Sequence, residues 1–150
     1  MKKLLLVGFA LFLSQISMAG ESIVGFWTTI DDETKSPKSI VHIYEYQGKY
    51  FGRVVDLFKN KEATAKIKGS PKIKGLDIIW DLKKNNHKYT GGEILDPVKG
   101  KVYGCEIYRE GEKLIGRGKI AFLGRNQIWL RNTDFSSKNL TENLIPVKPL

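Results

Sequence analysis

From residue 23 onward, apolar and polar residues alternate in short runs, and Gly, Asn and Asp interrupt them at close intervals. That rhythm predicts many short antiparallel strands and almost no helix. Eight runs fit it: residues 23–30, 39–46, 49–58, 76–82, 87–95, 102–108, 113–122 and 127–131. Gln47-Gly48 supplies the positive φ that a tight hairpin needs. Asp96-Pro97-Val98-Lys99-Gly100 is a second strong turn, since Asp can bond backbone two residues on and Pro fixes φ. In the fourth run, Leu76, Ile78, Trp80 and Leu82 share one face by the two-residue period, and Asp77 and Asp81 share the other, toward water. Residues 83–86 then read as a turn.

Eight hairpin-linked strands predict an all-β, eight-stranded, antiparallel up-and-down barrel, wide enough to be plugged by side chains or to hold one small ligand. Such a barrel must join its first strand to its last. Trp27 near the start and Arg131 at the end can do so, a guanidinium stacking on an indole face. Residues 59–74 break the rhythm. They carry Lys59, Lys61, Lys66, Lys68, Lys72 and Lys74 against Glu62, and a connection this long is read as a basic loop over a cavity mouth or a solvated surface segment. Asn60 is placed to cap one helical turn through residues 62–65. Residues 133–150 are polar and irregular and predict a loosely held tail. The domain expectation is therefore 1–19 leader, 20–132 barrel, 133–150 tail.

The leader rests on Met1-Lys2-Lys3, an apolar run over residues 4–13, and Ser17-Met18-Ala19, which together form a secretory signal pattern too short to span a membrane. Cleavage after Ala19 places the barrel in the periplasm or outside the cell. It removes two lysines and no acid, so the net charge of +9 falls to +7. A basic exported protein suits an anionic membrane or cell-wall surface, and no signature of nucleic-acid binding is present. Cys105 is the one cysteine, so the fold has no internal disulfide, and its strand neighbours predict burial.

Two resemblances follow from the motifs. Gly25-Phe26-Trp27 on the first strand with Arg131 on the last resembles the lipocalin arrangement, in which an arginine of the final strand covers a tryptophan at the barrel base. The ordered series Gly25-Phe26-Trp27, Tyr44-Glu45, Gly48-Lys49, Gly52, Gly75-Leu76, Gly91 with Ile94, Asp96-Pro97, Gly100-Lys101, Tyr103, Leu114, Arg117-Gly118 and Trp129 with Arg131 resembles a family of small exported bacterial proteins of unknown function with a lipocalin-like barrel. The resemblance spans residues 23–132 and implies that Gly25, Trp27 and Arg131 close the barrel. Many members of that family carry a Cys-x-x-Cys pair in the loop before Gly75. Here Thr64 and Ile67 stand near those positions, so a thiol or metal role for the pair is not expected.

The remaining chemistry is sparse. His42 and His87 are the two histidines, and no metal-ligand spacing surrounds them. No nucleophile elbow appears, and Asp96 is better explained by its turn than as half of an acid pair with Glu93. No cofactor and no catalysis are expected. Without Phe9 and Phe12 of the leader, three tryptophans, six tyrosines and five phenylalanines supply large rings for an aromatic pocket wall. Leu76, Ile78, Trp80, Tyr103 and Ile107 are the candidate ligand-binding residues. The reading is an exported binder of a small hydrophobic or amphipathic, fatty-acid-like molecule. The competing reading is an envelope or host-facing interaction module with a filled barrel and a basic surface.

Overall fold

The computed structural model describes residues 21–118, 127–135, 138 and 143–150. The leader and residues 119–122 of the seventh run lie outside the described residues. The strands are β1 (Gly25–Ile30), β2 (Pro37–Tyr46), β3 (Lys49–Leu57), β4 (Asp77–Asn85), β5 (Lys88–Asp96), β6 (Lys101–Glu110), β7 (Lys113–Gly118) and β8 (Gln127–Arg131). Each pairs antiparallel with the next, and β8 returns to β1 to close the barrel. Closure removes the sheet edges that would otherwise template pairing with other chains.

The ladder fixes which side chains point inward. Val41 lies between Trp27 and Val54, and Gly52 lies between Ile43 and Ile79. These positions, with Leu82, Tyr89, Cys105, Ile107, Leu114 and Trp129, form the buried core. The β2–β3, β4–β5 and β6–β7 turns gather at one end, where Trp27, Ile43, Leu82 and Tyr89 are at most 2% exposed. Tyr50 meets Tyr89 edge-on there, with ring centroids 4.8 Å apart. That end is filled. The β1–β2, β3–β4 and β5–β6 connections gather at the other end.

β4 departs from simple alternation. It runs on through Lys83 to Asn85, where a turn was expected, and the chain reverses at Asn86. Asp81 has φ +61°, a left-handed conformation uncommon outside glycine, and the β3–β4 register slips on both sides of Gly52. Such bulges insert a residue and reset the inward and outward faces. Gly92 accommodates this: a Cβ there would lie 2.6 Å from the Trp80 carbonyl oxygen.

The β3–β4 connection contains no helical turn at residues 62–65. It folds back on itself through the Thr64–Lys72 bridge and the bonds Ala65 N–H to Pro71 O and Ile73 N–H to Ala63 O. Ala65 and Ile73 are buried in the core, so the loop is packed onto the barrel. Lys66 N–H donates to Pro97 O at 2.9 Å. Gly100 sits directly beneath, at φ +68°, where any Cβ would overlap the Lys66 carbonyl oxygen.

Candidate functional site

At the end opposite the packed aromatics the barrel is hollow. A cavity of about 180 Å³ is lined by Val54, Leu57, Ile73, Ile78, Ile94, Leu95, Tyr103, Cys105, Ile107, Leu114 and Trp129. Its rim carries Asp31, Asp32, Lys38, Asp96, Pro97, Val98, Arg117 and Gln127. Gly116 lines the wall, leaving room where a side chain would fill it. One water-sized site takes roughly 10–15 Å³ on this measure, so the space corresponds to roughly 12–18 such sites. A chain of about a dozen heavy atoms fits that room. The lining is apolar, with polar groups concentrated at the rim, as sites for small amphipathic molecules are built.

Inside the rim, the Thr29 and Ser39 hydroxyls share a 2.6 Å hydrogen bond. The rim carboxylate of Asp31 is tied into its own turn: Oδ1 accepts from the backbone N–H of Thr34 and of Glu33 and from the Thr34 hydroxyl. Those bonds, the Thr34 backbone first, hold its carboxyl below the usual range. Asp96 Oδ1 accepts from Val98 N–H and Lys99 N–H, the turn role expected of it. Burial pushes the Cys105 thiol up to about 12, so it lines the wall as a small apolar group.

Of the five residues expected to bind ligand, the structure brings Ile78, Tyr103 and Ile107 to the cavity. Leu76 and Trp80 are buried elsewhere. Leu76 belongs to the core beneath the β3–β4 loop, with its carbonyl accepting from Val54 N–H. Trp80 pairs with Glu93 across the β4–β5 ladder and faces outward, because the adjacent inward residues Ile78 and Ile79 break the two-residue alternation before it. Its Nε1–H donates to Glu93 Oε1 at 3.3 Å, and the Lys148 ammonium lies 5.3 Å from its ring. The tryptophan in the cavity wall is Trp129. Its inward register opposite Leu114 was available from the β7–β8 hairpin.

Asp77, expected to face water, is 3% exposed. Its Oδ1 accepts from Arg53 Nε at 3.0 Å and from the Tyr44 hydroxyl at 2.9 Å, and its Oδ2 accepts from Arg53 Nη2 at 3.0 Å. Burial, then the Asp77 charge, pushes the Tyr44 hydroxyl far above its ordinary pKa. Residues 143–147 of the tail, expected to be loosely held, lie over this cluster and are bonded to it. Arg53 donates to the carbonyls of Asn143 and Ile145, and Val147 N–H donates to Asp77 Oδ2 at 2.9 Å. Two side chains thus hold three alternate backbone groups of the tail against the outer wall.

The seam also differs from expectation in one residue. Trp27 and Arg131 are opposite each other in the β1–β8 ladder, but the guanidinium over the indole is that of Arg109, 5.5 Å from the ring centroid. Arg109 lies on the inward face of β6, in step with Tyr103, Cys105 and Ile107, and pairs with Leu114. From there it donates to Ser22 O at 2.8 Å and Gly111 O at 2.7 Å and ion-pairs with Glu21. Arg131, at the strand end, turns toward Glu112 at 3.9 Å and stays half-exposed. Gly25, at φ +142°, begins β1 opposite Ile43. Trp27 Nε1–H is satisfied by Ile23 O at 2.8 Å.

No curated protein sequence matches the chain. Among solved structures, the chain is similar to one described as "Protein HP1028 from the human pathogen Helicobacter pylori belongs to the lipocalin family". The TM-score is 0.64 at 20% identity, over 84% of this chain and 93% of that one, a likeness of fold. A family profile described as "Uncharacterized protein conserved in bacteria (DUF2147)" matches residues 25–131, from the first residue of β1 to the last of β8. The chain belongs to that bacterial family, and its barrel is lipocalin-like.

Proposed function

We propose that this protein is an exported carrier that holds a medium-chain, fatty-acid-like molecule in the hollow half of its barrel. The observation that supports it is the division of the interior: one end packed by Trp27, Leu82 and Tyr89, the other a cavity of about 180 Å³ walled by aliphatic side chains. An apolar void loses dispersion contacts on every lining atom, and occupancy by an alkyl chain restores them. The rim of Lys38, Arg117 and three aspartates provides for a polar head. Among the described residues, no group of three His, Cys, Asp or Glu is arranged to hold a metal, and the rim carboxylates Asp31 and Asp96 are engaged in turns. The apolar wall and polar rim support binding of an amphipathic molecule. Export rests on the N-terminal pattern of residues 1–19.

Titration with decanoate tests the carrier reading. Trp129 is the reporter, and a saturable fluorescence change lost on Trp129→Phe is the expected result. The purified protein's native mass spectrum should carry a co-purified acyl species. No saturable change, together with a bare native mass, refutes the reading. The processed N-terminus, read by intact mass from exported material, tests export.

A further inference from the structure

We propose that the open end of the barrel docks on an anionic lipid bilayer through the β3–β4 loop, with Phe58 as the residue that enters the interface. The role of such docking rests on the carrier reading, since it sets the cavity mouth against a source of acyl chains. Phe58 is 48% exposed and Val98, on the adjoining β5–β6 turn, is 50% exposed. Both stand at the mouth: Val98 is part of the rim, and Phe58 follows the lining residue Leu57 and bonds through its N–H to Lys38 O. The other exposed large hydrophobics among the described residues are Val24, then Ile128 and Leu130 on β8, and Ile145, Val147 and Leu150 in the tail.

Charge points to the same surface. Asp56 takes Lys61 and Lys74, and Glu62 takes Lys72. Lys59, Lys66 and Lys68 are exposed and have no acid within ion-pair distance among the described residues. Three lysines on the loop that begins at the exposed Phe58 ring match a surface that is anionic outside and hydrocarbon within. Asp31, Asp32 and Glu33 lie on the β1–β2 side of the mouth, so contact is one-sided, with the β3–β4 loop lowered. The loop is preformed for it: the buried Ala65 and Ile73 and the Lys66–Pro97 bond fix its seat. A soluble polyanion would use the lysines but not Phe58, which is why a bilayer is the partner named.

The test is co-sedimentation of the chain from Gly20 onward, without decanoate, with phosphatidylcholine vesicles that contain or lack phosphatidylglycerol. The expected result is binding to the anionic vesicles at low salt, weakened by high salt. Each lysine near the surface contributes about fivefold, so K59Q/K66Q/K68Q should lower partitioning roughly a hundredfold. F58S should lower it further at unchanged charge. Decanoate titration of the lysine variant should match the parent, since none of the three lines the cavity. Equal binding to both vesicle types, or wild-type partitioning by F58S, overturns the proposal. So does an absence of vesicle binding in protein that still takes up decanoate, which leaves the carrier reading standing. If decanoate binding alone fails, the carrier reading falls and docking is judged on the vesicles.

Discussion

Replacing Arg53 by Met is the sharpest perturbation of the scaffold. Arg53 and Asp77 are joined by two 3.0 Å hydrogen bonds, and their side chains are 7% and 2% exposed. Met preserves most of the volume and removes the charge. Asp77 is then left as a buried carboxylate held by the Tyr44 hydroxyl and Val147 N–H. Breaking one side of a buried pair costs about 3–5 kcal/mol, whereas an exposed pair is worth about 0–1 kcal/mol. Against a typical total of about 5–15 kcal/mol, that is a large fraction of the fold's stability. Urea unfolding followed by tryptophan fluorescence reads it directly. The double variant R53M/D77N, with no charge to bury, should recover most of the loss. A loss under about 1 kcal/mol for R53M would show the pair to be solvated and refute the reasoning.

Other outcomes follow from the same geometry. Arg109→Ala should cost about 2–3 kcal/mol, since it removes charged hydrogen bonds to two carbonyls and the cover over Trp27, while Arg131→Ala stays within about 0.5 kcal/mol; paired thermal melts decide between them. His42 is stacked on Phe26, and burial, then the Arg53 charge, lowers its pKa from the ordinary 6.5. Its neutral form is therefore the one the fold prefers, so stability is full above pH 6.5 and declines as pH falls below it; urea midpoints across that range should flatten in His42→Phe. Gly100→Ala should unseat the β3–β4 loop, since the new Cβ overlaps Lys66 O at a positive φ, and limited trypsin digestion should then cut the lysine-rich loop several-fold faster than in the parent.

The barrel was legible because its code is local. Alternation plus Gly48, Asn86, Gly100 and Gly111 at the turns marks eight hairpin strands, and short connections leave up-and-down closure as the natural topology. The site was legible only where alternation held. On β6 it held, and Tyr103 and Ile107 do line the cavity. On β4 it did not. The adjacent apolar pair Ile78-Ile79 breaks the two-residue period and sends Trp80 to the outer wall, and the bulge at Asp81 then returns Leu82 inward. Asp77 looked solvated because nothing local announces a partner: Arg53 is 24 residues away and the covering backbone about 70. Trp27 and Arg131 are indeed neighbours across the seam, yet the stacking arginine comes from β6. An inward arginine at the packed end of a barrel needs a partner there, and that signal was present in the register of residues 103–109.

The most direct test of the hollow half is a methyl NMR titration with decanoate on isoleucine-labelled protein. Ile30, Ile73, Ile78, Ile94 and Ile107 line the cavity, whereas Ile23 and Ile43 are packed toward the closed end and Ile128 lies exposed on β8. Saturable shifts confined to the first group are the predicted result. Unmoved cavity methyls, or shifts centred on Ile128 and the outer wall, would contradict the account.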